Sequence, residues 1–511
     1  MLQQSDNVRS LIFIDPFGVK KSPEDAFSLM KPGSMTISPF TGRQPGDNLP
    51  RAPFLVPAVI EALRSHREWT PLIQVVPGEA DTFCAQDVRR NGGIVLTSDS
   101  DLLIQDLGVD GRVSFFWEVV RQDPPAAQAL SASTYSFHGI NDQLGVKDVG
   151  GLPRVVFEQV SGQLGFDVAV RRAKENAADT LTSPDYLEFL KKHQVDDSIP
   201  ADDLTLAAIS ALDPRISEIV VQTLIMSGPG LAPVAPSNQA GTSRGPEALS
   251  MFLPVMTENR DLKSCWTASA DTRQITYSVL QTLSSHRTQS IIEYRTLDRF
   301  SPHTGRRLDI PREVDAIDAC GSLVATLNGL KERIPTAGTL WLAFAVLQDI
   351  NACAEDAGSS LSATLLSEAD SPSTYYSWDL LHYTAQIQAS YYSLRMARQV
   401  LDVVSALGRD LPAPFRTLRE SLAPLPPIAD WPTVEDMPGL LSAFAAEGAL
   451  DAVTDVLGVP RVDLARVAAV PTSLRGKSKP QRGSRRSPHR GRGPRCPSLN
   501  PFALLSEAGQ D

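Results

Sequence analysis

Two pairs of carboxylates stand out by their spacing: Glu79 and Asp81 within Val76-Pro-Gly-Glu-Ala-Asp-Thr-Phe-Cys-Ala85, and Asp99 and Asp101 within Val95-Leu-Thr-Ser-Asp-Ser-Asp-Leu-Leu103. Each pair is split by a single residue, and the second pair lies twenty positions after the first. Unit charges held about 4 Å apart repel by roughly 4 kcal/mol at an effective dielectric near 20, so such a group favours a shared cation. Mg2+ and Mn2+ take oxygen ligands, and carboxylates supply them without histidine or cysteine. Two such ions roughly 3.5–4 Å apart activate a water, stabilise the leaving oxygen and clamp a phosphodiester for in-line attack. Either pair alone has an ordinary explanation: Glu79 and Asp81 complement a helix dipole, and Asp99 to Asp101 form a solvated turn. Both together, at matched spacing and among apolar residues, point to phosphodiester hydrolysis.

The elements around them are α/β. Leu11-Ile-Phe-Ile14 reads as a strand ending at the turn signal Asp15-Pro-Phe-Gly18. Pro53 to Arg64 reads as a helix and Ile73 to Val76 as a strand. Pro77-Gly78 then opens a helix with Ala80, Phe83, Cys84 and Val88 on one face, stopped by Asn91-Gly92-Gly93. Ile94 to Thr97 reads as a short buried strand, and Arg112 to Trp117 as another. Strand–helix alternation implies a mostly parallel sheet, and ligands gather at the C-terminal edge of such strands. Both acidic pairs can therefore converge on one crevice.

At 511 residues the chain is long enough for two or three domains. Composition divides it into an α/β segment at 1–125, a helical extension at 126–226, a loop at 227–246, a mainly helical domain at 247–422, a Pro-rich linker with short helices at 423–470, and a disordered basic tail at 471–511. Two apolar stripes carry the helical reading. One is Val314, Ile317, Leu323, Val324, Leu327, Leu330 and Ile334; the other is Tyr376, Leu380, Tyr383, Ile387, Tyr391 and Leu394. Tyrosines at strict helical spacing read as core rather than as a stacking surface for bases. Five cysteines are scattered singly, with no CxxC pair, which argues against a zinc site or a disulfide framework. The polar N-terminus and the lack of any apolar run near 18 residues imply a chain that is neither secreted nor membrane-spanning. His138 and His382 read as ordinary surface or core residues, and no Walker loop, dinucleotide fingerprint or serine-hydrolase elbow is present.

Gly78-Glu-Ala-Asp81 with Cys84-Ala85, followed by Thr97-Ser-Asp-Ser-Asp-Leu-Leu103, closely resembles the internal XPG region of flap-endonuclease-like proteins. Within that PIN-like superfamily the likeness is greatest to fungal XPG-domain proteins related to Asteroid, which also resemble this chain at Pro53 to Leu63 and Asp106-Leu-Gly108. A weaker likeness runs through Tyr186 to Phe189 and Phe252 to Pro254 to Arg273-Gln274 and Glu293-Tyr294. The resemblance implies a PIN-like fold, two Mg2+ (or Mn2+) ions and structure-specific cleavage of nucleic acid in a DNA-repair setting. It makes Glu79, Asp81, Asp99 and Asp101 metal ligands and catalytic residues, and matches Asp15 to the Asp of a Val-Phe-Asp-Gly element, with Pro16 in place of the glycine. Three departures stand against it. Only ten residues precede Leu11, so the strand that carries a further aspartate in the family is missing and the chain reads as truncated at its start. Between Phe137 and Lys174 the stretch Leu144-Gly-Val-Lys-Asp-Val-Gly-Gly151 shows neither a Gly-Ser-Asp-Tyr element nor the glycine-rich helical hairpin that grips the DNA backbone. A catalytically inactive PIN-like scaffold, binding protein or RNA through its helical C-terminal half, is accordingly the alternative to an active enzyme.

Arg475 to Arg495 holds nine Lys/Arg and no acid, so the remainder carries about −20 of a chain whose net charge is −11. Arg485, Arg486, Arg490 and Arg492 are the candidates there for binding branched or single-stranded nucleic acid, since neutralised phosphates release counterions. The same run reads as a nuclear localisation signal, against a solubilising role that would leave the protein cytoplasmic. Asn500 to Leu505 reads either as a short docking motif or as a loosely packed terminus.

Overall fold

The structure is a computed structural model that describes residues 12–14, 53–76, 80–121, 130–175, 180–193, 203–225, 249–259, 262–285, 287–295, 305–356, 360–362, 365 and 377–458. Asp15, Glu79, Tyr376, the loop 227–246 and the tail with Arg485, Arg486, Arg490 and Arg492 lie outside the described residues. The chain forms two compact units, one of Met1–Ala80 with Pro200–Pro471, the other of Asp81–Ile199 with Thr472–Asp511. The segments delimited on composition cut across this division, because contacts between distant stretches define each unit. Among the described residues no helix is long and apolar enough to cross a membrane.

The first unit begins with β1 (Ile12–Ile14), which pairs in parallel with β2 (Ile73–Val75), Ile12 opposite Ile73. Between them in sequence lies α1 (Leu55–Ser65), with Pro57 and Ile60 buried. A parallel pair needs such a crossover.

The second unit opens with α2 (Ala80–Asn91), which buries Phe83, Ala85 and Val88. Asp81 in its first turn and Arg89 and Arg90 in its last complement the helix dipole. Gly92 at φ +70 and Gly93 at φ +119 then reverse the chain, a backbone path that residues with a Cβ rarely take. It enters β3 (Gly93–Thr97), paired in parallel with β4 (Gly111–Phe115), Gly93 opposite Gly111 and Thr97 opposite Phe115. β5 (Val120–Arg121) and β6 (Leu130–Ser131) form a short antiparallel pair. Among the described residues the helices α3 (Phe137–Leu144), α4 (Gly151–Gly162), α5 (Phe166–Glu175) and α6 (Pro184–His193) follow. One core joins Val88, Val95, Leu102, Val113, Leu152 and Val155.

Two expectations for this unit need correction. β3 is not buried on both faces: Val95 packs into the core, whereas Ile94 and Leu96 are exposed. Alternate residues of a strand face opposite sides, and here only one side is covered. The strand expected at Arg112 to Trp117 stops at Phe115; Phe116–Glu118 is a 3-10 turn, and the Trp117 ring stacks on Phe115 at 4.5 Å.

The remainder of the first unit contains α7 (Asp203–Ser210), α8 (Pro214–Ile225) and a three-stranded sheet. In that sheet β7 (Leu249–Phe252) runs parallel to β8 (Ser290–Tyr294), and β9 (Arg306–Asp309) runs antiparallel to β8. α9 (Ala270–Leu280) lies between β7 and β8 in sequence and buries nearly its whole length. Next come α10 (Glu313–Arg333), α11 (Ala337–Asp356), α12 (Trp378–Ala406), α13 (Ala413–Ser421), α14 (Met437–Ala446) and α15 (Ala449–Leu457). On α10 the expected stripe shifts: Val314 is 67% exposed, and Ala316 and Cys320 are buried instead. On α12, Tyr383 and Tyr391 are core residues, as their spacing suggested.

The Pro-rich stretch read as a linker is packed. Leu425, Ile428 and Trp431 belong to the core, the Trp431 indole N–H donates to the Pro426 carbonyl at 3.1 Å, and its ring meets Phe54 edge-on at 5.0 Å. Proline had marked irregular backbone, not solvent exposure. Arg395 ties distant parts of this unit together, donating to Asp213 at 2.7 and 2.8 Å and to Glu61 at 2.8 Å, while Glu61 also accepts from the Ile428 amide at 2.7 Å.

Candidate active site

Asp99 lies two residues beyond the C-terminal end of β3. Its amide donates to Thr97 Oγ1 at 3.0 Å, and its own Oδ1 accepts from the Asp101 amide at 3.1 Å. These bonds form an Asx-type turn that fixes the aspartate backbone and engages one carboxylate oxygen. Asp101 begins a 3-10 turn, Asp101–Ile104, in which Leu102, Leu103 and Ile104 are all buried. The Leu-Leu half of the motif thus anchors the turn in the core, and both carboxylates stay half-buried at its edge.

Asp81, also half-buried, sits in the first turn of α2. Its charge reaches Cys84, three residues along the helix. Burial, then Asp81, then Asp87 push that thiol up to about 12, so Cys84 is a neutral thiol rather than a nucleophile. α2 and β3 are joined by the reversal at Gly92-Gly93 and share one core. Asp81 thus opens the helix that precedes β3, and Asp99 and Asp101 close the strand that follows it.

Glu79 and Asp15 lie outside the described residues, so their places in this group are not part of the geometry. The donor set Asp81, Asp99 and Asp101 has the hard-oxygen chemistry that suits Mg2+ or Mn2+. Among the described residues, however, no three His, Cys, Asp or Glu side chains come together as a group that could hold a metal ion. The two histidines set aside on sequence grounds are ordinary: His382 is buried and its Nδ1 accepts from the Asn259 amide at 3.2 Å, while His138 is exposed, 3.9 Å from Asp106.

One feature that the sequence reading missed lies in the same unit. α3 and α4 are joined by a tight turn over Leu144 to Gly151. Gly145 caps α3 at φ +62, and Gly150 and Gly151 enter α4 at φ +102 and +68. Asn141 of α3 reaches across, its Oδ1 accepting from the Leu152 amide in the first turn of α4 at 2.7 Å. This is a glycine-containing helical hairpin, with Lys147 exposed at its tip. Three glycines within seven residues were the available signal, and Pro153 falls in the first turn of α4, where proline is well tolerated. Arg154 and Glu158 of α4 are buried together, and Arg172 of α5 joins Glu158 at 2.9 Å, fixing the hairpin to the next helix.

A parallel strand pair with a helix on its core face, and an Asp-x-Asp turn at the strand's C-terminal end, defines an α/β unit of the PIN-like class. Residues 51–305 match the family described as XPG domain containing, and that span carries the motif and the hairpin. The match supports an XPG/PIN-like, nuclease-type superfamily for this part of the chain. No curated protein and no solved structure matches the chain.

Proposed function

We propose that the protein is a Mg2+- or Mn2+-dependent, structure-specific nuclease of the XPG type, related to the Asteroid proteins, that hydrolyses phosphodiester bonds in branched or single-stranded nucleic acid. The observation that carries this reading is the Asp99–Asp101 turn at the end of β3, inside the span that matches the XPG family. Asp81 stands in the first turn of α2, and Glu79 precedes it by two residues. On this reading Glu79, Asp81, Asp99 and Asp101, with Asp15 as a fifth candidate, hold the cations. The ions supply an activated water and offset charge on the leaving oxygen. The chain's own contribution is to hold Asp99 and Asp101 in a fixed turn and to keep Asp81 at a helix start, where its charge is tolerated.

The hairpin between α3 and α4 supports contact with a nucleic-acid backbone, since Lys147, exposed at its tip 3.7 Å from Asp142, suits phosphate oxygens. Arg485, Arg486, Arg490 and Arg492 supply a salt-sensitive, sequence-independent contribution and a nuclear address. A second reading has its own observation: the stretch between Phe137 and Lys174 carries no Gly-Ser-Asp-Tyr element. That favours a PIN-like scaffold that binds nucleic acid or protein without cutting.

Incubation of the full chain with flap, hairpin and single-stranded substrates and Mg2+ or Mn2+ separates the two. The enzyme reading expects cleavage that the Asp99→Ala/Asp101→Ala variant loses by at least roughly 10–100-fold, the cost of removing even an outer partner of a metal ligand. Cleavage that survives this variant comes from a contaminant and defeats the assignment. Nucleic-acid binding with neither cleavage nor calorimetric uptake of divalent ions selects the scaffold.

A further inference from the structure

Beside the Asp-x-Asp turn the second unit has an open cleft of about 400 Å3. Asp101 and Ile104 line it from the turn after β3, Val156 and Gln159 from α4, and Gln163 and Leu164 from the chain just beyond α4. That volume lies within the range of pockets that accept small organic groups. The chemistry of the lining narrows the occupant. No lysine or arginine contributes to it, and Asp101 places a negative charge at its edge, so a phosphate is disfavoured. The walls are branched aliphatic side chains, and the hydrogen-bonding groups are two side-chain amides with Ser100 and Asp101 at the edge. A flat, neutral group with donors and acceptors on its edge fits such a lining, and each glutamine amide can both donate and accept.

A second observation bears on the same place. Gln163 has φ +49 and ψ +42, and it is the one residue other than glycine at positive φ among the described residues. It caps α4 in the left-handed conformation, where glycine is the usual residue because a Cβ is strained. Gly145 and Gly458 do hold the corresponding positions after α3 and α15. A side chain is therefore kept where the backbone favours losing one. Gln163 is exposed and Gln159 half-buried, so both side-chain amides are open to a ligand in the cleft.

We propose that this cleft seats an unpaired nucleobase of the bound strand, with Gln159 and Gln163 meeting the base edge and Ile104, Val156 and Leu164 packing on its face. The proposal rests on the nucleic-acid reading of the Asp99–Asp101 site and deepens it: the strand is held with one base out of the stack. Glutamine pairs in this way with base edges, and extruded bases are held by such combinations of amides and apolar walls.

The test uses the full-length protein and single-stranded oligonucleotides in EDTA, one carrying bases throughout and one carrying a central abasic stretch. Wild-type protein should bind the first about tenfold more tightly. Gln163→Gly should lose that preference while its thermal midpoint stays level or rises, because glycine relieves the strained cap. Gln159→Leu, which keeps the helix, should lose it too. A strained cap with no ligand role predicts the same rise in midpoint with binding unchanged, and that result overturns the proposal. Equal binding of both strands by wild type also overturns it, while leaving the nuclease reading intact if Asp99→Ala/Asp101→Ala still abolishes cleavage. If no oligonucleotide binds at all, both fall.

Discussion

Replacing Glu293 with glutamine preserves the shape of the side chain and removes one charge from the middle of the first unit. Glu293 of β8 is fully buried, as is Arg273 of α9, and Arg295 is almost so. Its Oε1 accepts from Arg273 Nε at 2.6 Å and from the Tyr277 hydroxyl at 2.8 Å, and its Oε2 accepts from Arg273 Nη2 at 3.1 Å and from Arg295 Nε at 2.9 Å and Nη2. A glutamine amide nitrogen accepts none of these bonds and leaves two guanidiniums without a counter-charge. Breaking a buried ion pair costs roughly 3–5 kcal/mol, and with two stranded cations the upper part of that range is expected. Urea unfolding followed by tryptophan fluorescence reads the loss, because Trp266 lies against Arg273, its ring centre 5.5 Å from the guanidinium. pH supplies an independent check. Burial alone would raise the Glu293 carboxyl, but Arg273 and Arg295 outweigh it and hold the group at about 2 instead of the ordinary 4.5. With the folded value depressed, the stabilisation is complete above pH 4.5 and is lost as pH falls toward 2. At 1.36 kcal/mol per unit the shift amounts to about 3 kcal/mol. The stability gap between wild type and Glu293→Gln should therefore narrow between pH 4.5 and 2. A variant that costs less than about 1 kcal/mol, or a gap that stays constant across that range, would refute the reasoning.

Two further outcomes concern the second unit. Asn141→Ala removes the acceptor of the Leu152 amide, a buried contact of 2.7 Å, and should cost about 1–3 kcal/mol; hydrogen exchange at the Leu152 amide should quicken by on the order of tenfold, and unchanged exchange contradicts the cap. Cys84, with its thiol pushed up to about 12 by burial and by Asp81 and Asp87, should resist iodoacetamide at pH 8 in the native protein and react once urea opens the unit; fast native labelling argues against the packing described for α2.

Much of the local structure was legible in the residue order. The helix at Ala80–Asn91, its stop at Gly92-Gly93, the flanking strands and the Asp-x-Asp-Leu-Leu turn all follow from periodicity, glycine placement and short-range hydrogen bonding. The tyrosines of α12 were also assignable to the core by spacing alone. Other features depended on partners distant in the chain. Ile94 and Leu96 have the residue types of a buried strand, and only the packing shows that one face of β3 is covered. Val314 fits the stripe of α10 yet stands in solvent, because which face of a helix is buried is set by its neighbours. The Pro-rich stretch packs through Trp431 against Phe54, and the Arg273–Glu293–Arg295 cluster joins a helix to a strand; neither contact has a local signature. Local propensity is a short-range property, whereas burial and charge pairing are settled by which segments meet. The same physics governs the carboxylates: their types and spacing are written in the chain, and only tertiary structure decides that Leu102, Leu103 and Ile104 are buried and so anchor the turn that carries Asp99 and Asp101.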